Sequence, residues 1–374
     1  MNICYIANIR LPTEKAHGAQ IMQMCEAFAR AGHEVELVVP TRRTALREDP
    51  FVYYGIKPLF SITTLASPDL VSFGRLGFVV QSLLFGMRAL WYTRSRPGGV
   101  LYGRDELVLA VLALARSRRI VWETHTGAWN VAARVVAHRS AFIITISHRL
   151  KRWYVAKGIA AQKLLVAPDG VDLTAYAHPQ ANREARTRLA LPLDTPIVLY
   201  VGRVDGWKGV DTLCEASKLL PESVQVVIIG GEPTQVAALG REYPRVHFLG
   251  YLPMRELPDN LAVADVLVLP NTGRQQVSAE FTSPLKLFAY MASGKPIVAS
   301  DLPSIREVLD DASAVLVPAD TPAALAEAIT ELLSDAPRAA ALAHAARARV
   351  ERYTWDARAL AVCSALTHYA DQID

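Results

Sequence analysis

The most pointed chemistry in the chain lies in Gly202-Arg203-Val204-Asp205-Gly206-Trp207-Lys208-Gly209, directly after the apolar run Ile197–Val201. That run reads as a buried strand, so the octapeptide is a strand-to-helix loop. Gly202 at the strand end lets a ligand come close to the backbone. Arg203 can grip phosphate oxygens as a fork, and Lys208 adds a mobile point charge. Two cations on one such loop suit a diphosphate leaving group. The plain alternative is an ordinary loop whose charges face solvent, because Gly/Lys loops are common.

A second segment with chemical content is Thr282-Ser283-Pro284-Leu285-Lys286-Leu287-Phe288-Ala289-Tyr290-Met291-Ala292. Ser283 is a good helix N-cap and Pro284 a good first helical residue, so a helix is expected to begin here. Leu287, Tyr290 and Met291 supply its apolar face, and Gly294 stops it before the strand Ile297–Ala299. Unpaired N–H groups and the dipole make a helix start an anion site. Lys286 sits in that first turn, where a cation is disfavoured by about 0.3–1 kcal/mol. Either a bound anion removes the conflict or Lys286 points to water.

These loops need rigid elements behind them. Strand-like runs alternate with helical patterns throughout, the signature of parallel α/β architecture. The first half offers Ile3–Ala7, Glu34–Val39, Val100–Tyr102, Ile120–Glu123, Phe142–Ile146 and Leu164–Ala167. Its first helix carries Ile21, Met24, Cys25 and Phe28 at helical spacing and stops at Gly32. The second half offers Ile197–Val201, Gln225–Ile229, Val246–Leu249, Val266–Leu269, Ile297–Ala299 and Ala314–Val317. Alanine-rich helices follow at Ala323–Leu333 and Arg338–Arg352.

A length of 374 residues fits two domains. We expect a first Rossmann-like domain over residues 1–175 and a second over 190–354. The polar, Pro-containing stretch Thr174–Pro196 reads as their connection. Doubly wound domains bind ligands at the C-terminal ends of their strands, so a central cleft is expected. Tyr102, Arg104 and Asp105 sit at such a strand end, where contact with an acceptor and a plain surface role are both open.

Composition narrows the classes. About half of the residues are hydrophobic and a fifth are charged, as in a globular chain. Cys4, Cys25, Cys214 and Cys363 are scattered without zinc or redox spacing, so a reduced cytoplasmic protein is the simplest reading. Met1 runs almost directly into a strand pattern, and no signal peptide is expected. Up to Asp172 there are 22 Lys+Arg against 12 Asp+Glu, and beyond it 18 against 24. The basic first half points to an anionic partner such as a phospholipid surface, a lipid pyrophosphate or nucleic acid, or else to a solvated surface. The apolar Leu76–Tyr92 is short for a membrane span and contains Gln81 and Arg88. It is read as a buried core helix, with membrane contact as the second reading.

The chain resembles glycosyltransferase family 4, retaining enzymes of the GT-B fold that include bacterial surface-polysaccharide glycosyltransferases. The resemblance is carried by His17-Gly18-Ala19-Gln20, Ala31-Gly32-His33-Glu34-Val35, Ile146-Ser147 and Ala167-Pro168-Asp169-Gly170-Val171-Asp172. It continues through Gly202–Gly209, Phe248-Leu249-Gly250-Tyr251, Ala264-Asp265-Val266, Ser283-Pro284-Leu285-Lys286, Ala292–Ser300 and Tyr353-Thr354-Trp355.

The resemblance implies that Arg203 and Lys208 bind the donor diphosphate and stabilise the charge that grows on it as the glycosidic bond breaks. It places Gly202 and Gly18 against the phosphate or sugar, Gly18 from the first strand-to-helix loop. His125, in Glu123-Thr124-His125-Thr126-Gly127, would contact the donor sugar, although a lone histidine is more often structural. Ser283, Pro284 and Leu285 would offer backbone donors to the distal phosphate, with Lys286 beside them. Tyr251 would line the base pocket or merely pack. The helix from about 355 to 374 would return to the first domain.

One departure stands out. Many members carry two glutamates eight positions apart here, the second on the nucleotide ribose. Aligned on Met291, those positions hold Phe281 and Ala289, and Glu280 substitutes for the first only if the loop is longer by one. The lost charged bond costs roughly 1.5–3 kcal/mol of donor affinity unless another group replaces it.

The expected reaction moves a sugar from a nucleoside diphosphate sugar, UDP-linked by preference, to a hydroxyl of a lipid-linked or surface glycan. The anomeric configuration would be retained by a same-face path in which the departing phosphate helps deprotonate the acceptor. No cofactor and no metal are expected: Arg203, Lys208 and the helix start supply positive charge, and there is no Asp-x-Asp sequence. Peripheral contact with an anionic membrane on its inner, cytoplasmic face is expected, and no nucleic acid. The rivals are a catalytically weak sugar-nucleotide-binding partner subunit, encouraged by Ala289, and a sugar-nucleotide 2-epimerase. A dinucleotide oxidoreductase is disfavoured, because no Gly-x-Gly-x-x-Gly follows either first strand.

Overall fold

The computed structural model describes residues 1–94, 99–115, 119–204 and 206–371. The chain divides into two compact units, one of Met1–Pro168 with Trp355–Asp374, the other Asp169–Thr354.

In the first unit, β1 (Asn2–Ile6), β2 (Glu34–Pro40), β3 (Ser61–Leu65), β4 (Val100–Gly103), β5 (Ile120–Thr124), β6 (Phe142–Thr145) and β7 (Leu164–Val166) form one sheet. Its order is β3-β2-β1-β4-β5-β6-β7, with every pairing parallel. β4 and β5 are buried along their whole length, and their first three residues, Val100–Tyr102 and Ile120–Trp122, read as continuous apolar runs rather than alternating ones. The direction reverses between β1 and β4, the place where such sheets bind ligands. The Ala16–Arg30 helix buries Ile21, Met24, Cys25 and Phe28 as its spacing predicts, and Gly32 follows it at φ +83°.

In the second unit, β8 (Ile197–Val201), β9 (Gln225–Ile229), β10 (Val246–Gly250), β11 (Val266–Leu269), β12 (Ile297–Ser300) and β13 (Val315–Val317) form a parallel sheet in the order β10-β9-β8-β11-β12-β13. The reversal here lies between β8 and β11. Apolar side chains fill both of its faces, one layer built on Leu199, Leu267 and Met291, the other on Val198, Val268 and Ile329.

Three expectations are corrected. β3 was missed, being a partly exposed edge strand with few apolar residues. Thr174–Pro196 is no bare connector: it belongs to the second unit and contains the helix Asn182–Arg188. Within it, Arg186 is buried and donates to Val263 O at 3.0 Å, to Leu193 O and Thr195 O at 3.0 Å, and to Asp265 Oδ2 at 2.7 Å. Leu76–Tyr92 lies in a helix, Gly74–Arg94, but not one that buries its apolar side. Gly77, Gln81, Ser82, Phe85, Gly86 and Ala89 face inward, while Leu76, Leu83, Met87 and Trp91 are exposed.

Candidate functional site

In the second unit the loop after β8 is shaped by close backbone packing. The Gly202 N–H donates to Ile229 O at 2.8 Å, and Gly202 itself has φ +142°. A Cβ on Gly230 would stand 2.1 Å from Gly202 O, and one on Gly209 1.7 Å from Pro270 O. Gly209, at φ +69°, therefore has to be glycine on both conformational and steric grounds. Gly206–Lys208 make a single 3₁₀ turn between these fixed points. Asp205 falls outside the described residues.

Within this frame Arg203 is exposed, and its carbonyl accepts from the Tyr200 hydroxyl at 2.6 Å. The Lys208 ammonium stands 3.4 Å from the centroid of the Trp207 ring. Lys286 reaches the same loop. A Cβ on Gly202 would meet its Nζ at 2.7 Å, and the ammonium lies 3.8 Å from the Tyr200 ring centroid. Its Nζ is buried with no hydrogen-bond partner. Burial and then Lys208 hold its pKa well below the ordinary lysine value. Lys286 thus does not point to water, contrary to the plain alternative.

The helix that carries it starts one residue later than expected. Pro284 occupies the cap position without a side-chain bond, and the helix runs Leu285–Ala292. Ser283 serves differently: buried, it accepts from the Asp169 N–H at 3.2 Å. Tyr290 receives the Val201 N–H on its hydroxyl at 2.8 Å, locking this helix to the end of β8. Phe281 and Ala289 are both 4% exposed and pack apolar surface. Glu280 lies just before, on the π-helical turn Val277–Phe281. Gly250 O accepts from the Gly230 N–H at 2.6 Å, so Tyr251, 46% exposed, leaves a loop tied to the Gly202 turn.

The first unit has its own polar centre, and sequence reading found only part of it. Glu123, at the end of β5, is fully buried. Its Oε1 accepts from Gln20 at 2.7 Å and meets His125 Nε2 at 2.6 Å. Its Oε2 takes the Tyr102 hydroxyl and lies 3.1 Å from the Arg358 guanidinium. Burial alone would raise the Glu123 pKa, but Arg358, His125 and Arg104 outweigh it and hold the carboxyl well below its usual range. A carboxylate bound to one ring nitrogen fixes the orientation of the His125 imidazole. Arg104 donates to Gln20 Oε1 at 2.8 Å and so extends the same network. Nearby His17 is driven down to about 4, first by burial and then by Arg104, Lys15, Arg42 and His125, so it is neutral near pH 7.

Two site assignments change. Tyr102 is wholly buried and bonded to Glu123, so it neither contacts an acceptor nor lies on a surface; it positions the carboxylate. Gly18 is in the first turn of the Ala16–Arg30 helix rather than in the preceding loop, and its N–H already donates to Lys15 O at 2.9 Å. A Cβ there would stand 2.2 Å from the Tyr54 hydroxyl and 2.5 Å from Thr13 Cγ2, so those side chains would have to shift to admit one.

Arg358, Glu123, Gln20 and Tyr200 were not singled out from sequence. Arg358 had a signal: it falls in phase with the buried Trp355, Ala359, Val362 and Leu366, and a cation on an apolar helix stripe needs a buried acceptor. Among the described residues no helix is long and apolar enough to cross a membrane.

Comparison with known proteins follows this division. A D-inositol 3-phosphate glycosyltransferase of Xylanimonas cellulosilytica is 33% identical over 246 residues, which cover 61% of this chain and 57% of that protein. The chain thus spans little more than half the length of that relative. In structure it is similar to sucrose-phosphate synthase from Thermosynechococcus elongatus, with TM-score 0.78 and 22% identity over 99% of both chains. It is also similar to Anabaena HepE in complex with UDP-glucose, with TM-score 0.78 and 17% identity over 98% of this chain and 100% of that one. These likenesses fix the fold as GT-B, with two Rossmann-like parallel-sheet domains. Residues 18–175 match the family model described as Glycosyltransferase Family 4 and residues 195–335 the one described as Glycosyl transferases group 1, and the chain belongs to the family 4 glycosyltransferases.

Proposed function

We propose that the chain transfers a sugar from a UDP-linked donor to a hydroxyl of a lipid-linked or surface glycan, with retention of the anomeric configuration. The observation that carries this reading is the Lys286 ammonium, buried without an acceptor beside Gly202 and Lys208. A buried ammonium is costly unless it serves an anion, and the end of β8 is where this sheet type holds ligands. A diphosphate matches both the charge and the loop.

In this mechanism Arg203 and Lys208 bind the diphosphate from the Gly202–Gly209 loop. With Lys286 they stabilise the charge that builds on the leaving phosphate. Leu285 and its neighbours at the helix start offer N–H groups to the distal phosphate. His125, held by Glu123, is assigned to the donor sugar, and Arg104 to the acceptor side. The departing phosphate assists deprotonation of the acceptor hydroxyl, so no protein carboxylate is needed as nucleophile and no metal is called for. The setting is the cytoplasmic face of a membrane, with the basic first half turned to anionic lipid.

Thermal stabilisation by UDP, GDP, ADP and NAD, for the wild type and Arg203→Ala, tests the donor site. Ligand at a hundred times its dissociation constant adds about 2.7 kcal/mol. A shift with UDP that is lost in Arg203→Ala supports the reading, and transfer from a UDP-sugar series then identifies the sugar. No response to any diphosphate favours the second reading, a binding partner without turnover, for which buried Ala289 in place of a ribose-binding glutamate is the specific observation.

A further inference from the structure

We propose that the outward face of the Gly74–Arg94 helix is an insertion surface for an anionic lipid bilayer. The proposal rests on the membrane setting given above and not on the transfer chemistry.

The helix is built inside out. On its inner side Gln81 donates to Asn8 Oδ1 at 3.0 Å, and Asn8 donates to Ser82 Oγ at 2.8 Å. Gly86 lets the Glu106–Ala115 helix come close, since a Cβ there would stand 3.2 Å from Val111. Buried hydrogen bonds and a tight glycine contact fix the rotation of the helix about its own axis. It cannot roll to hide its apolar side.

That side carries Leu76, Val80, Leu83, Met87 and Trp91, all among the exposed large hydrophobics. Their spacing of three and four residues makes one stripe. Trp91, at its far end, is 78% exposed, and Phe73, on the 3₁₀ turn before the helix, is 74% exposed. From Leu76 to Trp91 the stripe runs roughly 22 Å at 1.5 Å per residue. Single exposed apolar residues are ordinary, but a contiguous stripe of this size marks a contact surface.

Charge says what the partner is. No aspartate or glutamate occurs between Asp69 and Asp105, whereas Arg75, Arg88 and Arg94 are exposed on this helix. An apolar stripe flanked only by arginines, with a tryptophan at its end, suits the headgroup zone of an anionic bilayer. Self-association fits poorly, because a two-fold contact would set arginine against arginine with no carboxylate on the segment to separate them. The element is too polar on its inner side to span, so it would lie in the plane of the interface.

The test is flotation of the full chain with vesicles of phosphatidylcholine, with and without phosphatidylglycerol. The wild type is compared with Leu76→Gln/Met87→Gln/Trp91→Ser, whose sites are exposed and so spare the fold. Wild type should bind the anionic vesicles, and the triple variant at least about tenfold more weakly. Brominated lipid should quench part of the wild-type tryptophan fluorescence, and Trp91→Phe should remove that part. The UDP-induced thermal shift should be the same in wild type and triple variant, so failure of the donor site and failure of the docking surface read out separately. Equal vesicle binding by the triple variant would overturn the proposal, as would no binding by the wild type. A wild-type dimer that the variant converts to monomers would overturn it in favour of a second copy of this chain.

Discussion

Replacing Lys286 with methionine should stabilise the ligand-free protein and weaken its donor site. The wild-type ammonium is buried, lacks an acceptor and is pushed by Lys208, and its pKa is held well below the ordinary value. Exchanging a buried charged group for an apolar one of similar volume is commonly neutral or stabilising by about 1–4 kcal/mol. Against this stands the loss of the contact with the Tyr200 ring at 3.8 Å, worth up to about 2 kcal/mol when desolvated. The net expectation is a gain of about 1–2 kcal/mol, or a rise in Tm of roughly 2–8 °C. On the other side, a charged hydrogen bond to phosphate is worth about 1.5–3 kcal/mol, so UDP should bind roughly ten- to a hundredfold more weakly. The pH dependence has a definite sign. For a lysine with a depressed folded pKa the unfolded chain binds more protons between that pKa and about 10.4, so stability rises with pH through the window. The advantage of the methionine variant should therefore shrink as pH climbs towards 10. A bound diphosphate raises the Lys286 pKa, so wild-type UDP affinity should fall over the same window and the variant should lack this contribution. Scanning calorimetry and UDP titration from pH 6 to 10 check both limbs. A variant that is less stable and binds UDP as the wild type does would refute the reasoning.

Two other perturbations are sharp. Glu123→Gln leaves Arg358 buried beside a neutral amide and should cost about 3–5 kcal/mol in urea unfolding. Because the folded Glu123 pKa is depressed, that contribution is present above the unfolded carboxyl value of about 4.3 and is lost as pH falls towards the lower folded value, so the gap between wild type and variant should narrow in acid. Gly209→Ala asks an alanine to hold φ +69° with its Cβ 1.7 Å from Pro270 O, so the loop must move. A loss of about 1–3 kcal/mol from strain, with UDP stabilisation abolished, is expected in a thermal melt with and without UDP.

The sheet core was legible because its strands are buried on both faces and read as unbroken apolar runs, β8 and β11 above all. β3 was not, because a partly exposed edge strand carries little apolar signal. The outward side of Gly74–Arg94 misled for a related reason: composition shows that a segment is apolar, but not which side its neighbours take. Here Asn8, on the loop after β1, claimed Gln81 and Ser82 for the interior. The loop after β8 was legible as a glycine-rich strand-to-helix turn, since Gly202, Gly206 and Gly209 directly follow an unbroken apolar run. Lys286 was found as well, although its contact with Tyr200 was not. The network on Glu123 escaped because its partners, Gln20, Tyr102, His125 and Arg358, come from four separate stretches of chain that only the folded sheet gathers.

The return of the final helix to the first unit has a consequence for biosynthesis. On a ribosome, residues 1–168 emerge with Glu123 in place but without Arg358, which is made only after all of Asp169–Thr354. At elongation rates of about 5–20 residues per second that interval is on the order of ten seconds or more. Through it the nascent unit holds a carboxylate that lacks Arg358, the largest of its cationic influences, and the docking site of the Trp355–Asp371 helix lies open on the Ala16–Arg30 helix. The second unit, continuous in sequence, can finish first. The first unit to be synthesised is then the last to be completed, and its Ala16–Arg30 surface is the part left uncovered longest.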